Sequence, residues 1–163
     1  MVVDVTECPL EHPSNFDFQR VIYSGRYHQH SLKYEVGVEL NSGLFVWFQG
    51  AYPGSWNDLT IIRSSGLLEL LEVGELILAD KIYVGEPQII TPFKAPKDEI
   101  EREMNSIIYS YRIIVENSLS RIKTFNSTRT KWRHSPFLHS KVFKVLVNIL
   151  NIDLQFRPIQ KNI

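Results

Sequence analysis

The sequence predicts a single α/β domain, a mixed sheet flanked by helices, and three observations carry that reading. Residues 33 to 40 alternate, with Tyr34, Val36, Val38 and Leu40 on one face, before Asn41, Ser42 and Gly43 turn the chain back into Leu44 to Gln49. That is the pattern of an antiparallel hairpin. Leu76, Ile77, Leu78 and Ala79 form a short, wholly apolar run, as expected of a strand buried on both faces. Two later stretches, 98 to 125 and 139 to 154, repeat apolar residues at helical spacing. Strands and helices in this order are covered most economically as layers around one core.

Taken in order, Val2, Val3 and Val5 around Asp4 predict an opening strand, ended by Pro9 and Pro13. The hairpin follows, and Pro53 with Gly54 closes it. Ser55 and Asp58, three residues apart, have the form of a capping box that opens a helix to about Leu71, where Gly74 stops it. After the apolar run, Gln88 to Thr91 predicts a second short strand closed by Pro92. The helix from Asp98 to Phe125 is expected to break near Asn105, and the last helix places Phe143, Leu146, Val147 and Leu150 on one stripe. There is no repeat, low-complexity tract or linker to divide residues 1 to 163.

Composition narrows the class. With 163 residues, 44% apolar and 22% charged, the chain has the makeup of an ordinary globular domain. A lone Cys8 excludes an intrachain disulfide framework and any multi-cysteine zinc site, and it points to a reducing compartment. No apolar run has the length of a membrane span and no leader pattern opens the chain, so an intracellular protein without membrane partners is expected. Net charge is zero, yet residues 1 to 116 hold 9 Lys+Arg against 17 Asp+Glu while 117 to 163 hold 9 against 1. Such asymmetry suits a nucleic-acid surface beside an acidic site, or else a basic helix face solvated or paired with acidic loops.

Three acidic residues stand out by their settings: Asp4 within the opening strand, Asp80 at the end of the apolar run, and Glu116 inside the long helix. Charge is disfavoured among the β-branched neighbours of Asp4, unless that residue faces solvent at a strand edge. Asp80 directly follows a buried run, and the carboxyl ends of central strands are where open α/β sheets place their sites. Glu116 lies off the main apolar stripe of its helix, beside Tyr109, Ile113 and Ser120, with Arg112 one turn before it. An i,i+4 ion pair would account for it equally well. Carboxylates converging from separate elements are what a pair of hard divalent cations needs to stabilise both oxygens of a phosphodiester under attack.

Arg121, Lys123, Arg129, Lys131 and Arg133 supply five positive charges within 14 residues, interleaved with Phe125 and Trp132 and followed by His134. Phosphate contact is one reading and a solvated loop the other. Asp58 is read as a helix cap rather than a ligand. His12, His28, His30, His134 and His139 show no zinc-type pairing with cysteine and are assigned to no metal.

Several segments together resemble the DDE-superfamily endonuclease domain of Harbinger-type and related insertion-sequence transposases. They are VVDVTECPL at 2 to 10, YSGRYHQHSLKYEVGVEL at 23 to 40, AYPGSWNDLTIIRSSGLL at 51 to 68, LADKIYVG at 78 to 85 and YRIIVENSLSRIKTF at 111 to 125, with NIDLQFRPI at 151 to 159 as the tail. The 35 residues between Asp80 and Glu116 are consistent with many such enzymes. The resemblance implies an RNase H-like fold, with Asp4, Asp80 and Glu116 as catalytic carboxylates and ligands of two Mg2+ or Mn2+ ions. It implies DNA as substrate and partner, bound by the basic segment, and water or a DNA 3′-hydroxyl as nucleophile. A separate DNA-binding accessory protein, a homodimer and, in a eukaryote, a nuclear location belong to the same expectation. Ile82 stands before Tyr83 where the family usually has glycine. The family also carries a helical DNA-binding region ahead of the first strand, and only Met1 to Val3 precede Asp4, so that strand is expected to be cut short. The alternative is a noncatalytic DNA- or protein-binding module, or an inactive remnant.

Overall fold

The computed structural model describes residues 1–159, and within them it is an α/β domain built on a six-stranded mixed sheet. The strands are β1 (Val2–Pro9), β2 (Tyr23–Ser24), β3 (Gln29–Val38), β4 (Phe45–Pro53), β5 (Ile77–Leu78) and β6 (Ile89–Ile90). The helices are α1 (Phe16–Ile22), α2 (Asp58–Ser64), α3 (Glu99–Ile122), α4 (Asn126–Arg129) and α5 (Pro136–Phe156). Long β3 pairs antiparallel with β1 on one side and with β4 on the other, and β2 joins its beginning. Beyond β1 the direction reverses: β5 runs parallel to β1, and β6 parallel to β5.

The first strand pairs over its whole described length. All eight residues of β1 pair with β3, from Val2 opposite Val38 to Pro9 opposite Ser31, because β3 starts at Gln29, earlier than the alternation at 33 to 40 suggests. From Ser31 onward every residue of β3 is buried, Lys33 and Glu35 included, so its polar positions mark a second covered face and not solvent. One face of the sheet, with Val2, Cys8, Leu32, Tyr34, Val36 and Val38, packs against Ile114, Val115 and Ile122 of α3 and Phe143, Val147 and Leu150 of α5. The other, with Val3, Ile77 and Ala79, packs against Ile62, Leu67, Tyr83 and Ile89.

Several helix boundaries differ from the sequence reading. The cap of α2 is Asn57, whose side chain accepts the Thr60 amide at 2.7 Å, whereas the Ser55 hydroxyl donates to Val21 O at 2.6 Å. The helix stops at Ser64 and not near Leu71, since Gly66 takes φ +83°, a left-handed conformation that a helix cannot continue through. α3 runs unbroken through Asn105, whose amide instead donates to Phe93 O at 3.0 Å and accepts the Phe93 amide at 2.7 Å. α5 begins at Pro136, three residues before His139, with proline in its first turn where no amide donor is missed. α1, β2 and α4 were not foreseen. α1 is nonetheless announced by Asn15, which caps it through the Phe18 amide at 2.9 Å.

Candidate active site

Register creates the site. β1 and β5 share a single paired position, Val2 opposite Leu78, after which they part. Asp4 stands two residues beyond Val2 within β1, and Asp80 two residues beyond Leu78, just past the end of β5, so both follow the one paired position of the two strands. Asp4 is opposite Val36, on the face that α3 covers. Its Oδ1 accepts the Val5 amide at 2.8 Å. Burial pushes the Asp4 carboxyl up to about 6, with Asp58 and Asp80 adding to the rise and the Val5 amide and Arg112 opposing it. Asp80 caps the short 3₁₀ turn at Lys81–Tyr83, accepting the Lys81 amide at 2.6 Å.

Glu116 reaches the group through Arg112. One guanidinium nitrogen lies 3.5 Å from Asp80 Oδ1 and another 3.4 Å from Glu116 Oε1. The i,i+4 pair anticipated from the sequence therefore exists, but Arg112 also bridges helix to strand. Asp80 and Glu116 remain well exposed, at 37% and 57% of their side chains. Water screens these contacts and each is weak. Among the described residues no three His, Cys, Asp or Glu side chains already enclose one metal position. Their donor chemistry is still that of a hard cation: carboxylate oxygens alone, with a guanidinium balancing two of them.

A further carboxylate was read from the sequence in another role. Asp58, the first residue of α2, is not the helix cap; its buried side chain lies 3.6 Å from the Lys33 ammonium, which also donates to Trp56 O at 2.7 Å. Two capping-type residues in succession, Asn57 and Asp58, were the available signal, because only one of them can cap. Tyr83 is also at hand, fully buried, its hydroxyl without a hydrogen-bond partner.

The basic segment divides in two. Arg121 donates to Arg157 O at 2.6 Å and pairs with Asp153 at 3.4 Å. Lys123 donates to Glu7 O and, at 3.1 Å, to Thr128 O, clamping α3 to β1. Arg129, Lys131 and Arg133 are exposed, Arg133 lying 3.3 Å from Glu11. An open cleft of about 390 Å³ is lined by Val5, Thr6 and Glu7 of β1 together with Lys123 and Arg129, so the strand that carries Asp4 also borders the basic segment.

Fold and site thus define an α/β protein with one carboxylate early in β1, one just past β5 and one on α3, the last two joined through Arg112. The chain belongs to the DDE superfamily endonuclease family, whose model matches residues 3–151. It is similar to the "Probable transposase for insertion sequence element IS702" of Microchaete diplosiphon, 29% identical over 167 residues, a match that covers 96% of this chain and 58% of the relative. The chain therefore spans 58% of the length of that relative. No solved structure matches it. No helix among the described residues is long and apolar enough to cross a membrane. The bacterial source of the relative gives the expected nuclear location no support.

Proposed function

We propose that the chain is the catalytic domain of a metal-dependent DNA endonuclease of the transposase type, on an RNase H-like sheet, which cuts and transfers phosphodiesters. The observation that carries the reading is that Asp4 and Asp80 each lie two residues past the one pairing of β1 with β5, with Arg112 linking Asp80 to Glu116. The RNase H-like reading is supported by the strand order, with β3 and β4 antiparallel on one side of β1 and the two short parallel strands on the other.

In this reading Asp4, Asp80 and Glu116 hold two Mg2+ or Mn2+ ions, whose charge stabilises the attacking and leaving oxygens. Asp4 must be ionised to ligate, and burial holds its carboxyl up at about 6. Arg112, paired with both, offsets the repulsion between Asp80 and Glu116. Arg129, Lys131 and Arg133 contact DNA phosphates, whereas Arg121 and Lys123 shape the surface they stand on. Nicking of supercoiled plasmid in Mn2+ tests the assignment. Asp80→Asn and Glu116→Gln are each expected to lower the rate by about 10² or more, since each removes charge that acts on the transition state. Nicking that survives both substitutions would sink the mechanism.

A further inference from the structure

We propose that the outer face of α5 is the contact between two copies of this chain, their helices paired antiparallel about a two-fold axis. The inference is independent of the metal-dependent reading above.

α5 carries two apolar stripes. Phe143, Val147, Leu150 and Leu154 enter the core. Leu138, Val142, Val145, Ile149, Ile152 and Phe156 form the second, following one another at steps of four, three, four, three and four residues. The centre of this row lies roughly 130° around the helix from that of the core stripe, so packing α5 on the sheet leaves the row outside. Val142 is partly exposed, and the other five are 44% to 79% exposed. A single apolar side chain on a surface is ordinary, but six in a heptad row over about 27 Å of helix form the seam of a helix pair. The row exposes on the order of 500 Å² of apolar surface, the size of patch that marks an interaction site. Flanking side chains extend it toward the roughly 800 Å² per partner of an ordinary stable interface.

The occupant follows from the composition of the row itself. Turned end for end, the row meets itself with Leu138 on Phe156, Val142 on Ile152 and Val145 on Ile149 of the second copy. Each layer then joins a smaller side chain to a larger one, which keeps the helix spacing even and the seam free of voids. A parallel pair joins valine to valine in two layers and Phe156 to Phe156 in another, thin at one level and wide at the next. The polar flank agrees. Lys141 and Lys144 lie in the first half of α5, and antiparallel pairing sets them toward the last turn of the second helix, whose free carbonyls favour positive charge. Parallel pairing gathers four ammonium groups at one end instead. Asn148 meets its own copy across the axis, where one amide donates and the other accepts. On the opposite flank Asp153 is held by Arg121 and Arg157 of its own chain, so it stays paired and does not repel its copy.

Sedimentation velocity from about 1 to 100 µM is expected to show a monomer–dimer equilibrium, with a thermal midpoint that rises with concentration. Val145→Glu sets a charge against Ile149 of the second copy and is expected to raise the dimer dissociation constant about 100-fold or more, with circular dichroism unchanged. Ile149→Lys gives the same reading should Val145→Glu not fold. Oxidative cross-linking reads the orientation, since Cys8 is buried. Asn148→Cys is expected to link to its own copy and Leu138→Cys is not. A chain that stays monomeric over the whole range overturns the inference and leaves the row to another occupant. A dimer undisturbed by both charged substitutions overturns it by placing the contact elsewhere. Cross-linking of Leu138→Cys without that of Asn148→Cys overturns the antiparallel pairing.

Discussion

Asp4 and His139 give the folded chain opposite responses to pH. The Asp4 carboxyl is raised from 3.8 to about 6, so between those values the native state binds a proton more readily than the unfolded chain. This contribution therefore falls as pH rises through that window, and the cost is complete above it. His139 is neutral in the core: Ser127 O can only accept, so Nε2 donates to it at 2.8 Å and Nδ1 accepts from the Tyr34 hydroxyl at 2.7 Å. Burial lowers its pKa, chiefly by desolvation, so its contribution is complete above the usual histidine value and is lost as pH falls below it. Asp4→Asn separates the two. In EDTA it is expected to stabilise the chain by about 1–2 kcal/mol at pH 7.5 and by almost nothing near pH 3.5, read as a shift in thermal midpoint. At this scale the sequence was unevenly legible. The position of Asp80 just after the strand Ile77–Leu78 follows from local pattern. Asp58 was mistaken for a cap, since its role depends on Lys33, 25 residues away on another element.

At the scale of elements, the long periodic segments were legible and the short ones were not. The β3–β4 hairpin, α3 and α5 each carry enough apolar repeats to declare themselves. α1, β2 and α4 are fixed by what they meet: β2 exists only through the pairing of Tyr23 with His30 and Ser24 with Gln29. Tertiary pairing of this kind leaves no local period to read. Asn105 is the instructive error. It looks like a helix breaker, yet in α3 its amide serves as a clamp for the chain entering the helix, taking both hydrogen-bonding groups of Phe93. Asn105→Ala leaves those two groups unpaired in a half-buried place. It is expected to cost about 1–3 kcal/mol in urea unfolding and to expose residues 92 to 97 to protease first.

For the molecule as a whole, the charge partition is the property that the sequence announces and the fold arranges. Asp4 and Asp80 flank the parting of β1 from β5, while exposed Arg129, Lys131 and Arg133 follow α3. Lys131→Ala is expected to weaken DNA binding and to flatten the dependence of log affinity on log salt by about 0.7–0.9, with no change in thermal midpoint. Lys123→Ala is expected instead to lower the midpoint, because its ammonium holds carbonyls of β1 and of α4 together. An equal midpoint in both variants would contradict that division of labour.

The sheet also has an uneven stiffness. Asp4 rides on a plank of three long strands, paired over eight positions on the β3 side, whereas Asp80 rides on a slat joined by the single pairing of Val2 with Leu78 and by the Leu78 amide on Met1 O at 3.0 Å. Thermal motion collects at the weakest joint of such a frame. The separation of Asp4 from Asp80 is then held far less firmly than that of Asp4 from β3, so any ligand that needs both carboxylates finds one fixed wall and one that yields.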